Sequence, residues 1–172
     1  MTASQHLALE FADTARRYCS LIDAHSAHSA EDLLRQLGTL LPELLYRGAS
    51  LHMDDREADL PPVDPNRHAA WETLSDSLNA HLGDFDLYWE VFDPVNRDED
   101  DPISATLSDG LADIYLDLVS GHAFAETPDT HISVSTVANW RFQYEAHWGQ
   151  HAASALRAIH SWLFAHELST DA

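Results

Sequence analysis

Lysine is missing from this 172-residue sequence: its nine basic residues are all arginines, set against 29 acidic ones, for a net charge of −20 at neutral pH. Without a lysine-arginine stripe there is no electrostatic footprint for a phosphate backbone or an anionic lipid surface. Neither nucleic acid nor a membrane is therefore an expected partner. Cysteine is almost missing too. Cys19 stands alone, which excludes an intrachain disulfide and a cysteine-built zinc cage. No stretch comes near the roughly 18 uninterrupted apolar residues of a spanning helix, and Met1 to Glu10 has no basic start followed by an apolar run. A cytoplasmic protein is expected. The six glycines form neither a G-x-G-x-x-G nor another phosphate loop, and no G-x-S-x-G elbow occurs. No cofactor is expected from motifs.

What is present is a hydrophobic fraction of 45%, enough for a folded globular chain of this length to bury a sizeable core. The organising stretch is Thr136 to His166. At about 100° per residue, Trp140, Tyr144, Trp148, Ala155, Ile159 and Trp162 share one arc. Gln143, Gln150, Ser154, Arg157 and Ser161 fall on the other side, and a stripe so wide and aromatic is a core face. Gly149 interrupts it, at a cost of about 1 kcal/mol relative to alanine, so a local bend at most is expected. Arg141 and Glu145, four residues apart toward the apolar half, are expected to form a partly buried ion pair or to meet charges on a neighbouring helix.

Upstream, Gln5 to Ala24 repeats Leu7, Phe11, Tyr18, Leu21 and Ile22 on one face, with Asp13 and Arg17 at ion-pair spacing. Ser29 followed by Asp32 opens a second, leucine-rich helix, which Pro42 should kink or restart and Gly48 should fray. Asp64-Pro65 marks the start of a third helix carrying Trp71, Leu74, Leu78 and Leu82, and Gly83 can end it. Residues 84–92 hold FDLYWEVF, read as extended or irregular, with no other segment alternating well enough to give it a sheet. A fourth helix is expected from Ile103 after Asp101-Pro102, with Leu107, Leu111, Ile114, Tyr115 and Leu118 inward. Asp109, Asp113 and Asp117 should then be turned away from the core. The acidic stretches near 52–65 and 93–102 read as solvent loops. The expected fold class is all-α: one compact domain over 1–172, of about five or six helices packed around the long C-terminal amphipathic helix.

Four stretches in this order, LLPELLYRGASL (Leu40 to Leu51), YWEVFDP (Tyr88 to Pro94), ISATLSDGLADIYLDL (Ile103 to Leu118) and WGQHAASALRAIH (Trp148 to His160), carry a family resemblance. The chain is similar to an uncharacterised bacterial domain-of-unknown-function family, DUF5063-like, from the second helix onward. The loops Asn96 to Asp101 and Asp54 to Pro62 depart from the shared pattern. The resemblance implies a compact helical domain and brings with it no activity and no catalytic residue.

The sharpest chemical pattern is His147 and His151, one helical turn apart and able to offer two imidazoles to one metal ion. Two ligands do not make a site, and the other carboxylates in range, Asp113 and Asp117, are expected on the wrong face. His25 and His28 form a second HxxH, expected exposed in a turn. Paired Glu-x-x-His motifs of a di-iron bundle are missing. With catalytic motifs absent, the expected function is a non-enzymatic protein-interaction or adaptor module with an acidic helical surface. Its partner-binding candidates are Trp89, Gln150 and Arg157, for a protein partner. The alternative is a small-ligand or metal-dependent enzyme. A convergence of polar groups on a closed pocket would separate the two.

Overall fold

The computed structural model describes residues 2–52, 64–91, 95–96, 101–119 and 132–165. Six α-helical segments occur among them: α1 (Ala3–Asp23), α2 (Ala30–Ser50), α3 (Arg67–Leu82), α4 (Leu107–Val119), α5 (Val134–Gln143) and α6 (Gly149–His160). A π-helical turn, Tyr144–Trp148, joins α5 to α6, and a second, Ser161–Ala165, follows α6, so 134–165 form one rod. The fold is all-α apart from a two-stranded antiparallel hairpin, β1 (Leu87–Glu90) against β2 (Ile103–Thr106), with Leu87 opposite Thr106 and Glu90 opposite Ile103. No helix among the described residues is long and apolar enough to cross a membrane.

Local chemistry sets the helix ends. Thr2 caps α1 reciprocally with Gln5, and the Ser29 hydroxyl accepts the Asp32 N–H at 3.1 Å to start α2. Gly83, at φ +55°, stops α3 in a backbone region that disfavours other residues. The start of α3 falls later than expected. Asp64 accepts the Asn66 N–H at 2.9 Å, and helical geometry begins at Arg67.

The C-terminal rod carries the core as its spacing requires. Trp140, Trp148 and Ile159 are fully buried, with Ala155 beside them, while Tyr144 and Trp162 pack at the margin. Phe11 of α1 lies 4.9 Å from the Trp140 ring and 5.9 Å from that of Trp148, centre to centre. Both indole N–H groups are satisfied, Trp140 by the Leu118 carbonyl at 3.1 Å and Trp148 by the Trp140 carbonyl at 3.3 Å, as buried donors require. Around this rod α2 and α4 pack against α6, α1 packs on α2 and α4, and α3 covers α4.

Several expectations are corrected. Pro42 neither restarts nor breaks α2: it sits on the solvent side, while Leu41 and Leu44 hold the helix to the core. Gly48 is not a frayed end but a buried contact, with the Trp148 ring lying over it. Ile103 begins a strand rather than a helix. The partner that FDLYWEVF lacked in sequence is Ile103–Thr106, and α4 starts after it because Asp86 supplies the cap. Its backbone carbonyl accepts the Leu107 N–H at 2.8 Å and its carboxylate accepts the Ser108 N–H at 2.7 Å. Arg17 leaves Asp13 to Arg16 and instead donates to Glu43 of α2 at 2.9 Å. His25 is buried, not exposed: its Nδ1 meets the Ile22 carbonyl at 2.8 Å and its Nε2 meets Ser77 Oγ at 3.0 Å. The Arg141–Glu145 pair forms, and Arg141 also donates to the carbonyls of Gly48 and Ala49, capping the end of α2. Cys19 is a buried hydrophobe whose thiol is pushed up to about 12 by burial and by Asp23, which keeps it protonated and unreactive. The acidic loops near 52–65 and 93–102 lie largely, and His166 wholly, outside the described residues.

Candidate functional site

The site is built where α4 crosses the rod. Because α4 is enclosed by α1, α3 and α6, no side of it is simply solvent, and the aspartate stripe faces other helices. Asp117 is only 1% exposed and Asp113 is half-buried. Both were expected to be turned outward, a reading that correctly located the apolar arc but not what covers the opposite face. A helix that is apolar nearly all round is a buried one.

Facing α4 is the π-helical turn that carries His147. At Gly149, where the turn ends, an added Cβ would overlap the Tyr144 carbonyl oxygen and stand 3.1 Å from its ring. Only glycine fits this geometry without a shift. The bend expected at Gly149 is thus a change of helix type, a feature often found at functional positions. One turn on, His151 lies against Gly110 of α4. The two imidazole rings stand 4.8 Å apart, nearly perpendicular.

One ligand atom from each of Asp113, His147 and His151 lies within 4.8 Å of the others. Nitrogen and oxygen ligands sit about 2.0–2.2 Å from zinc, which places them about 3.5 Å from each other in tetrahedral geometry. Closing the cluster therefore asks for side-chain rotations of about an ångström. His147 Nδ1 lies 2.7 Å from Asp117 Oδ2. With that carboxylate accepting the Nδ1 proton, the Nε2 lone pair faces away from Asp117, as in the carboxylate–histidine–metal arrangement. His151 Nε2 lies 3.7 Å from Asp113 Oδ2. The other oxygen of Asp117 accepts from Arg67 Nη2 at 2.7 Å, and the same nitrogen is 4.0 Å from Asp113.

Burial pushes the Asp113 carboxyl above its ordinary range, the His151 and His147 rings oppose the shift, and Asp109 and Asp117 add to it. His147 is raised chiefly by its hydrogen bond to Asp117, against the opposing effect of burial. Arg67 is shared between the two carboxylates, bonded to Asp117 and standing off from Asp113.

Asp113 also lines a cavity of about 580 Å³ with Asp64, Pro65, Arg67, His68 and Trp71. The His68 and Trp71 rings stack nearly parallel at 5.9 Å. None of Asp64, Arg67, His68 or Trp71 carries a motif: Asp64 was expected as a helix cap and Trp71 as a core position of the third helix, not as parts of a site.

The partner-binding candidates do not converge on this cavity. Trp89 is 66% exposed on β1, whereas its neighbour Tyr88 packs at the core margin. Arg157 donates to the Trp89 carbonyl at 2.9 Å and Ser154 bonds to Glu90, so these α6 side chains fasten the hairpin to the rod. Gln150 is exposed.

A family model described as "Domain of unknown function (DUF5063)" matches residues 2–165. Curated proteins give no match. Among solved structures the chain is similar to the crystal structure of protein BF1032 from Bacteroides fragilis, a structural-genomics target. The two share 20% sequence identity, the alignment covers 92% of each chain, and the TM-score is 0.70. At that identity the likeness concerns the fold alone.

Proposed function

We propose, from the premise that this chain belongs to the DUF5063 family, that it binds one divalent transition-metal ion through Asp113, His147 and His151 and presents it to the neighbouring cavity. The observation that carries this reading is the convergence, across two helices, of two imidazoles and a carboxylate. Imidazole and carboxylate together suit zinc, iron or manganese. Three protein ligands leave coordination positions open, which is how binding and catalytic sites differ from closed structural ones. Asp117, held by Arg67, orients His147 from behind.

The test is elemental analysis of untagged protein under metal-replete conditions, with zinc titration by calorimetry. One ion per chain is expected, lost in His147→Ala/His151→Ala while the circular dichroism spectrum stays helical. Absence of binding to the folded wild type refutes the reading. A second reading, the protein-interaction module, keeps one specific support: Leu87 and Trp89, two residues apart on one face of β1, are both exposed large apolar side chains. Co-purification with a protein partner that is lost in Trp89→Ser would favour it.

A further inference from the structure

We infer that the cavity beside the cluster takes a small organic oxyanion, a phosphate, phosphonate or carboxylate attached to a planar ring; this rests on the metal reading above. The head group is placed by charge. An open coordination position on a divalent ion at Asp113 takes an oxygen donor, and Arg67, beside Asp113 on the same cavity wall, favours a donor that carries negative charge. Arg67 is positioned to share that anion. Its Nη2 is 4.0 Å from Asp113 Oδ1; an oxyanion oxygen about 2.1 Å from the ion and about 2.9 Å from the guanidinium spans a gap of about 5 Å. One guanidinium edge is committed to Asp117, and the fork has further donors to give.

The ring is placed by the cavity wall. Trp71 and His68 offer a stacked planar surface, and the Trp71 indole N–H is buried without an acceptor among the described residues. At about 580 Å³ the cavity matches a small molecule. The net charge of −20 repels a polyanion, so the anionic group belongs to a compact ligand rather than to a nucleic-acid strand.

The test is calorimetry on zinc-loaded full-length protein with phenylphosphonate, inorganic phosphate and phenol as probes, after zinc binding has been measured separately on each variant. Phenylphosphonate is expected to bind at one per chain, about tenfold or more tighter than to zinc-free protein, with inorganic phosphate weaker and phenol silent. Trp71→Ala should weaken phenylphosphonate about tenfold while zinc still binds, and Arg67→Gln should weaken both anions. Zinc binding without phenylphosphonate binding overturns this inference and leaves the metal reading standing. Equal binding of the probe with and without zinc, or in Trp71→Ala, also overturns it. Failure to bind zinc removes both.

Discussion

Gly149→Ala isolates the π-helical turn. In an ordinary helix interior the exchange is favourable by about 1 kcal/mol. Here the new methyl would overlap the Tyr144 carbonyl oxygen and stand 3.1 and 3.2 Å from two Tyr144 ring carbons. A backbone carbonyl has no torsion by which to step aside, so the rod must shift, and overpacking of this kind costs about 1–3 kcal/mol. Taking the upper end, less the helix gain, leaves a net loss of about 2 kcal/mol, or about 4–8 °C in Tm for a chain of this length. Gly38→Ala is the control. It lies within α2, and its methyl would meet Ile159 and Leu163 at ordinary contact distances of 3.5 and 3.6 Å. That variant should gain about 1 kcal/mol. Thermal melts by circular dichroism read both; a Gly149→Ala protein as stable as wild type, or an equal loss in both variants, would refute the steric account. Because the same turn carries His147, Gly149→Ala should also weaken zinc binding.

Asp86→Ala removes the acceptor of the Ser108 N–H, the Ser108 hydroxyl and the Asn79 amide; lost capping and stranded donors together should cost about 2–4 kcal/mol in urea unfolding, and Asp86→Asn should cost less. His81 has its pKa lowered by burial first and then by His25 and His28. The unfolded chain therefore takes up that proton first: stability is full above about pH 6.5 and falls as pH drops through that value toward the lower folded pKa. Urea midpoints at about pH 7.5 and about pH 5.5 should show a smaller acid loss in His81→Asn than in wild type. Trp89→Ala, at a ring 66% exposed, should change stability by no more than about 0.5 kcal/mol, and a large loss would mean the hairpin is part of the core.

The parts of the fold that follow a local period were legible in the sequence: the spacing of Trp140, Trp148 and Ile159 located the core rod, Ser29 the start of α2 and Gly83 the end of α3. What was not legible depends on distant partners. Ile103–Thr106 is too short to show alternation and becomes a strand only by pairing with β1. His25 is hydrogen-bonded to Ser77, 52 residues away. The candidate site divides along the same line. His147 and His151 are neighbours by helix geometry alone, but Asp113 joins them only because α6 covers the side of α4 that periodicity marked as polar. Arg67 and Trp71 come to that place through the packing of α3 on α4, which no motif announces. Gly149 was visible as an anomaly, and its meaning as the end of a π-helical turn was not.

The central claim is that Asp113, His147 and His151 hold one metal ion, and anomalous diffraction from crystals grown with zinc tests it most directly. The account expects a single strong peak about 2.0–2.2 Å from His147 Nε2, His151 Nε2 and an Asp113 oxygen, with His147 Nδ1 still bonded to Asp117. A crystal with zinc present in the medium and no peak among these three side chains, or with His147 turned so that Nε2 meets Asp117 instead, would contradict it.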